Sequence, residues 1–249
     1  MGGDGIVHTV AQALAETSVR LAVLPAGTTN VFARLLEIPN KAVPAARLVA
    51  GAHRNQTVPL LRLTIGSNGV TSTRWAVFAA GFGYDAEVVA RAEAEPYHKY
   101  WLGGVHYARS ALRVAFSDFR RRAPNLRIHA GERKIDGIAL MAQFREVYTY
   151  FGRFPLRIER AVPHPLTLLV MSELPRRRIP AILGRLLNSK AELATLPGFE
   201  AWPNVESARL EADPAVLGQA DGELLGPVEW AEMSVVADAL RVVAPLAPV

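Results

Sequence analysis

Three of the first five residues are glycine, in Met1-Gly2-Gly3-Asp4-Gly5. Apolar side chains at Val7, Val10, Ala11 and Leu14 follow at once with helical spacing. That order constrains the fold more than any other feature. Glycines let a backbone approach a ligand closely and adopt positive φ. The N–H groups they expose at the start of a helix suit an anion. Loops of this kind join a strand to a helix in α/β sheets, so the strand that would aim this one is expected to precede Met1.

The pattern then repeats. Leu21 to Leu24 reads as a short buried strand running into the turn Pro25-Ala26-Gly27. Thr29-Asn30 can cap a helix over Val31 to Leu36, which Pro39 stops, and Ala42 to Ala50 makes another helix ended by Gly51. This alternation belongs to an open α/β sheet. After His53 the texture changes. Val58–Ile65, Ser72–Ala80, Leu126–His129, Ile135–Gln143, Leu156–Ile158 and Leu166–Met171 are predicted strands, as are Ala208–Glu211, Ala215–Gln219, Val228–Val236 and Leu240–Val243. Gly66-Ser67-Asn68-Gly69 is a hairpin turn. Helices are predicted over Asp85–Ala94, Tyr107–Phe119 and Pro180–Leu187. The fold class is therefore α/β plus β: a small α/β part followed by a larger, mostly antiparallel, sandwich-like β domain with helices attached.

Zero cysteines among 249 residues exclude disulfides and Cys-ligated zinc, and no apolar run reaches the roughly 18 to 20 residues of a membrane span. With no signal-peptide pattern at the start, the cytoplasm is the default compartment. The formal charge is +5. Arg120-Arg121-Arg122, Arg176-Arg177-Arg178, Arg109 and Arg113 read first as solvated surface. Their sharper reading is attraction to an anionic membrane surface or a polyphosphate. No nucleic-acid module is recognisable among them, so no nucleic-acid partner is expected.

Four segments carry chemistry. The first is Gly2 to Gly5. The second, Pro25-Ala26-Gly27-Thr28-Thr29-Asn30, offers backbone N–H groups, two hydroxyls and an amide where a strand gives way to a helix. The third, Gly81-Phe82-Gly83-Tyr84-Asp85-Ala86, follows an apolar strand and brings Asp85 to a helix start, where a plain helix cap is the competing reading. The fourth is Asp221-Gly222-Glu223, otherwise a simple turn. No Gly-Lys-Ser/Thr follows either glycine loop, which excludes a Walker A loop. Backbone amides, hydroxyls and Mg²⁺ would have to manage a polyphosphate.

In this order the four segments resemble the diacylglycerol kinase catalytic family, which includes bacterial lipid kinases and sphingosine kinases. The family pattern runs Gly-Gly-Asp-Gly-Thr, Pro-x-Gly-Thr-x-Asn-x-x-Ala-Arg, Gly-x-Gly-x-Asp-Ala and Asp-Gly-Glu. The resemblance implies transfer of the ATP γ-phosphoryl to the hydroxyl of a diacylglycerol-like lipid. It implies nucleotide binding by Gly2, Gly3, Asp4, Gly5, Gly27, Thr28 and Asn30, and substrate binding by Asp85 and Asp221. Glu223 would be the general base, with Asp4 its rival for that role and the residue sharing Mg²⁺. The implied division is a partial nucleotide domain at residues 1–54 plus 240–249 and a lipid domain at residues 55–239. A lipid substrate implies transient, peripheral membrane contact. Trp75, Phe78, Phe82, Tyr84, Tyr97, Tyr100 and Trp101 could line an acyl pocket, although aromatics at such spacing are more often core.

Several positions depart from the family. Its Thr is Ile6 here, its Asn-Glu is His8-Thr9, and its second-loop Asn-Asp is Asn30-Val31. The stretch Glu159 to Leu166, with His164, lacks the Asp-Gly of a structural Mg²⁺ turn. The family's leading strand–helix units, with their Asn-Pro motif, lie upstream of its first glycine loop. The chain is thus expected to be a fragment, a mis-started frame, or a protein that pairs its bare edge with a second copy. A catalytically impaired lipid-binding remnant is the alternative reading. A third is an NAD kinase, which shares the first loop but fits the second loop and the Asp-Gly-Glu poorly.

Overall fold

The structure is a computed structural model. It describes residues 1–94, 110, 113–114, 123–151, 154–158, 166–174, 177, 179–180, 182, 193–196 and 198–246. Arg109, Arg120 to Arg122, Arg176, Arg178, Tyr97, Tyr100, Trp101 and His164 lie outside them. So do most of the predicted helices over Tyr107–Phe119 and Pro180–Leu187.

Helix α1 (Asp4–Leu14) starts on the first glycine loop and buries Val7, His8 and Ala11 along one face. A short strand β1 (Arg20–Leu21) leads through the second loop to α2 (Val31–Leu35), and α3 (Ala42–Ala50) follows, ending at Gly51 as its composition predicts. The predicted strand Leu21–Leu24 is paired only at its start. Pro25 instead forms an isolated parallel bridge with Gly2, with Gly2 N donating to Leu24 O at 3.1 Å and Ala26 N donating to Gly2 O at 3.0 Å. The first residues therefore lie strand-like beside the second loop.

The rest is dominated by one sheet. Strands β2 (Arg54–Ser67), β3 (Val70–Ala76), β4 (Ala79–Gly83), β5 (Leu126–Ala130), β6 (Arg133–Gly137), β7 (Ala139–Gln143), β10 (Leu166–Met171), β11 (Phe199–Val205), β12 (Ser207–Ala220) and β13 (Glu223–Ala244) join β1 in it. A separate hairpin pairs β8 (Thr149–Phe151) with β9 (Phe154–Leu156), and α4 (Tyr84–Glu93) follows β4. The main path is β11-β10-β7-β4-β12-β13-β2-β3. Its pairs are antiparallel, whereas β1 joins β13 in parallel at Arg20↔Arg241 and Leu21↔Val242. The β2–β3 turn has positive φ at both Asn68 and Gly69, the primed geometry that suits a tight hairpin.

Four predicted boundaries change, each for a local reason. The run Ser72–Ala80 is two strands, because the N–H groups of Val77 and Phe78 bond to the Asp221 carboxylate and not to a neighbouring strand. The run Ile135–Gln143 breaks at Ile138, whose N–H donates to Met171 O. Ala208–Glu211 and Ala215–Gln219 are one strand, β12, with a register shift between Glu211 and Val216. The last two predicted strands fuse into the 22-residue β13. Its register on β2 breaks between Val236 and Leu240, opposite Pro59, which has no N–H to give.

Two large cores result. One gathers Val7, Ala11, Phe32, Leu60 and Leu240, so it fastens α1 and α2 to the shared ends of β2 and β13. The other fills the β region around Leu63, Phe82, Ile128 and Leu140. Burying such side chains contributes about 1.5–3 kcal/mol each. Trp75 and Phe78 belong to the first core and Phe82 to the second, so these aromatics are packing residues and do not share one acyl pocket.

Candidate active site

The two glycine loops lie back to back. A Cβ on Gly27 would stand 2.7 Å from the Cα of Gly3 and 2.8 Å from Oδ1 of Asn30, so no side chain fits at Gly27. Asn30 closes the second loop on itself. Its Oδ1 accepts from Gly27 N at 2.9 Å, while its Nδ2 donates to Gly27 O at 2.8 Å and to Asn40 Oδ1 at 2.7 Å. Thr28 stands exposed at the tip of this loop.

Asn30 does not cap α2, contrary to the sequence expectation. It sits in the left-handed region at φ 50° and makes no side-chain bond to the helix. The cap comes from the other loop: Asp4 accepts from Val31 N at 2.9 Å and from Phe32 N at 3.1 Å, one oxygen each. Burial pushes the Asp4 carboxyl above its ordinary range, and the two N–H groups pull it back. Its own helix, α1, starts at Gly3 without any side-chain cap. The first-turn N–H groups of α1 are thus the ones an anion could meet.

The Asp221-Gly222-Glu223 turn reaches this place from the far end of the sequence. Strand β12 runs antiparallel to β4 with Ala220 opposite Ala80, and Asp221 N donates to Ala79 O at 2.9 Å. The Asp221 carboxylate accepts from Val77 N, Phe78 N and Ala79 N at 2.8, 2.9 and 3.2 Å. It also accepts from Nδ1 of the buried His8 at 2.8 Å, which ties the turn to α1. Gln12, one turn further along α1, brackets the Trp75 peptide, accepting from its N–H at 2.9 Å and donating to its carbonyl at 2.7 Å. With the turn so anchored, Glu223 lies over the first loop. A Cβ on Gly5 would collide with its Oε1. Glu223 Oε1 therefore packs directly against Gly5.

Asp85 enters from β4. Gly83, at φ 72°, turns the chain into α4. Asp85 does not cap that helix. Its Oδ2 accepts from the Tyr148 hydroxyl and from Nε2 of Gln219, each at 2.6 Å. As a residue Asp85 is half-buried, but its carboxyl is desolvated and raised for that reason, with the two donors opposing the rise. Tyr148 is pushed well above 10 by burial and by the neighbouring Asp85. Arg34 of α2 stacks on Tyr150 of β8 at 4.7 Å.

The structure thus brings Gly2, Gly3, Asp4, Gly5, Gly27, Thr28, Asn30, Asp221 and Glu223 to one junction, with Asp85 linked to it through Gln219. Sequence reasoning missed His8, Gln12, Tyr148 and Gln219 as site residues. The spacing of His8 and Gln12 on the buried face of α1 was the available signal, whereas Tyr148 and Gln219 are joined to Asp85 only by folding.

Residues 1–61 match the diacylglycerol kinase catalytic domain. Over this segment the chain is similar to the diacylglycerol kinase catalytic family. It is 36% identical over 91 residues to a diacylglycerol kinase of Mycobacterium tuberculosis, a match covering 36% of this chain and 28% of that protein. It is 46% identical over 55 residues to a probable lipid kinase YegS-like protein of Pseudomonas syringae, covering 21% and 18%. The aligned part is therefore less than a third of either relative's length. A solved structure from Bacillus anthracis, named as a diacylglycerol kinase, superposes on all of this chain and 78% of its own, with TM-score 0.70 at 19% identity. Yeast NADH kinase superposes at TM-score 0.53 and 10% identity, over 98% of this chain and 60% of its own. These last two likenesses establish a fold shared with both kinds of kinase.

The residues present fit a nucleotide's phosphates, through the uncapped start of α1 and the exposed Thr28. For Mg²⁺ they supply little. Among the described residues no three His, Asp or Glu side chains cluster as a metal site, and both oxygens of Asp4 already serve α2. A magnesium ion here would be held mainly by phosphate oxygens and water, as is usual at kinase sites. Among the described residues, no helix is long and apolar enough to cross a membrane.

Proposed function

We propose that the chain is an ATP-dependent lipid kinase segment acting on the hydroxyl of a diacylglycerol-like lipid. The observation that carries this is the meeting of Glu223 with Gly5 at the start of α1, because a phosphoryl transfer site needs an anion cradle and a proton acceptor side by side. Bound ATP would supply the γ-phosphoryl. The first-turn N–H groups of α1, with the exposed Thr28, would hold its phosphates, and Gly27, whose N–H serves Asn30, would shape the loop. Glu223 would take the proton of the acceptor hydroxyl once that oxygen comes within about 2.6–3.2 Å. Asp4, committed to α2, would keep the two loops together, which favours Glu223 over Asp4 as base. We further propose that residues 1–54 with 240–249 form the nucleotide side and residues 55–239 the lipid side. The protein would then act peripherally at an anionic membrane surface.

The test is transfer of ³²P from ATP to a panel of lipids in mixed micelles. Glu223→Gln should lower turnover by roughly 10²- to 10⁴-fold, the usual contribution of a general base, with ATP affinity kept. Equal turnover in the variant would remove Glu223 from the role. A second reading, a lipid-binding protein without turnover, is favoured by Ile6 and Thr9, which replace a hydroxyl and a carboxylate of the family pattern. It predicts lipid binding with no transfer by a folded chain.

A further inference from the structure

Gln219 lies opposite Gly81 in the pairing of β12 with β4. A Cβ on Gly81 would collide with Oδ2 of Asp85 and stand 2.8 Å from the Tyr148 hydroxyl. The missing side chain opens the space in which three polar groups meet. Tyr148 has one proton and gives it to Asp85 at 2.6 Å, with the Ala80 carbonyl a longer acceptor at 3.3 Å. Gln219 Nε2 has two protons, directed to Asp85 Oδ2 at 2.6 Å and to the Tyr148 oxygen at 2.9 Å. Its Oε1 accepts from Gly222 N at 2.9 Å. Every polar atom of the Gln219 side chain is therefore in use, and the residue it steadies at the other end directly precedes Glu223.

The accounting leaves one atom over. Both donors to Asp85 reach Oδ2, and among the described residues Oδ1 accepts no hydrogen bond. Asp85 is half-buried, so this oxygen is open to a hydrogen-bond donor from a ligand.

We propose that Gln219 and Tyr148 are positioning residues, which hold Asp85 by one oxygen so that the other accepts a hydroxyl of the acceptor lipid. Gln219 further couples that grip to the turn presenting Glu223. The inference rests on the lipid-kinase reading for the identity of the substrate, a glycerolipid bearing a free hydroxyl, but not for the coupling itself. An alternative in which the triad is only a buried polar knot predicts the same stability effects and no effect on lipid binding.

The experiment titrates dioctanoylglycerol into the full chain labelled with ¹³C and ¹⁵N, following the Asp85 carboxyl carbon and the Gly222 amide. In the wild type both signals should move together. In Gln219→Met the Asp85 signal should still move while Gly222 stays, and diglyceride affinity should fall about tenfold, the worth of one hydrogen bond to a charged group. Tyr148→Phe should weaken binding similarly while keeping the Gly222 response. In turnover assays both variants should raise the lipid KM and leave the ATP KM unchanged. Unaltered diglyceride affinity in Tyr148→Phe, or an Asp85 signal that ignores the lipid in the wild type, overturns the proposal, and Tyr148→Phe decides alone should Gln219→Met not fold. If the wild type shows the coupled binding response but transfers no phosphate, the kinase reading fails and the positioning role stands.

Discussion

The carboxyl of Asp4 is held by two main-chain N–H groups at the start of α2, whereas that of Asp85 is held by two side chains, Tyr148 and Gln219. Both are raised above the ordinary 3.8 chiefly by burial. The partners differ in kind. Main-chain donors spread over both oxygens of Asp4 and fix its position as part of the scaffold. Side-chain donors converge on one oxygen of Asp85 and, among the described residues, leave the other open. Burial thus serves two ends: the first carboxyl joins two loops, and the second, on the proposal above, is poised for a ligand. Asp221, with three main-chain donors and His8, is the joint between the two regions.

Breaking that joint should have the largest effect. Asp221→Ala strands His8 and three buried N–H groups, and should cost about 3–5 kcal/mol, the range for removing one partner of a buried charged network. Urea denaturation checks this. A loss below 1 kcal/mol would show that the joint does not hold the regions together.

Exchanging the two carboxyls for amides sharpens the contrast. Asp4→Asn keeps one acceptor for two donors and should lose about 1–2 kcal/mol of stability. Asp85→Asn removes a desolvated charge and should gain stability at pH 7, while lipid phosphorylation drops at least about tenfold through the lost acceptor. If Asp85→Asn were destabilised as much as Asp4→Asn, the two sites would not differ as described.

The same contrast has a pH signature. Asp85 binds its proton more tightly folded than unfolded. The stability it contributes is fully present below pH 3.8 and is lost as pH rises through the higher folded value. The stability advantage of Asp85→Asn over the wild type should therefore grow as pH is raised from about 4 to 7. An advantage independent of pH would assign the effect to packing. The smallest effect is expected at Thr9, whose exposed hydroxyl donates to Gly5 O within its own helix. Thr9→Ala should fall within about 0.5 kcal/mol of the wild type.

Much of the fold is legible without coordinates. Helix α3 ends where Gly51 follows Ala50, and β10 has its predicted bounds, because a helix stop and a short apolar run are local events. The β2–β3 hairpin is equally local, read from Asn68-Gly69. Boundaries fail where a distant group intervenes. The strand predicted over Ser72–Ala80 is cut at Val77 by a carboxylate 144 residues away, and no window along the chain contains that partner. The candidate site divides in the same way. Glycines at 2, 3, 5 and 27 and acids at 4, 85, 221 and 223 are picked out in the sequence by the resemblance of their order to the kinase family. Their work is not.

The order of the four segments and their residue types belong to the sequence by itself, because backbone freedom at glycine and the chemistry of a carboxylate are properties of single residues. Only the tertiary structure decides that Asp4 caps α2 in place of Asn30, that Glu223 meets Gly5, and that both donors to Asp85 converge on one oxygen. Those outcomes depend on which donors the β4–β12 pairing and the seating of α1 bring within about 3 Å, the reach of a hydrogen bond.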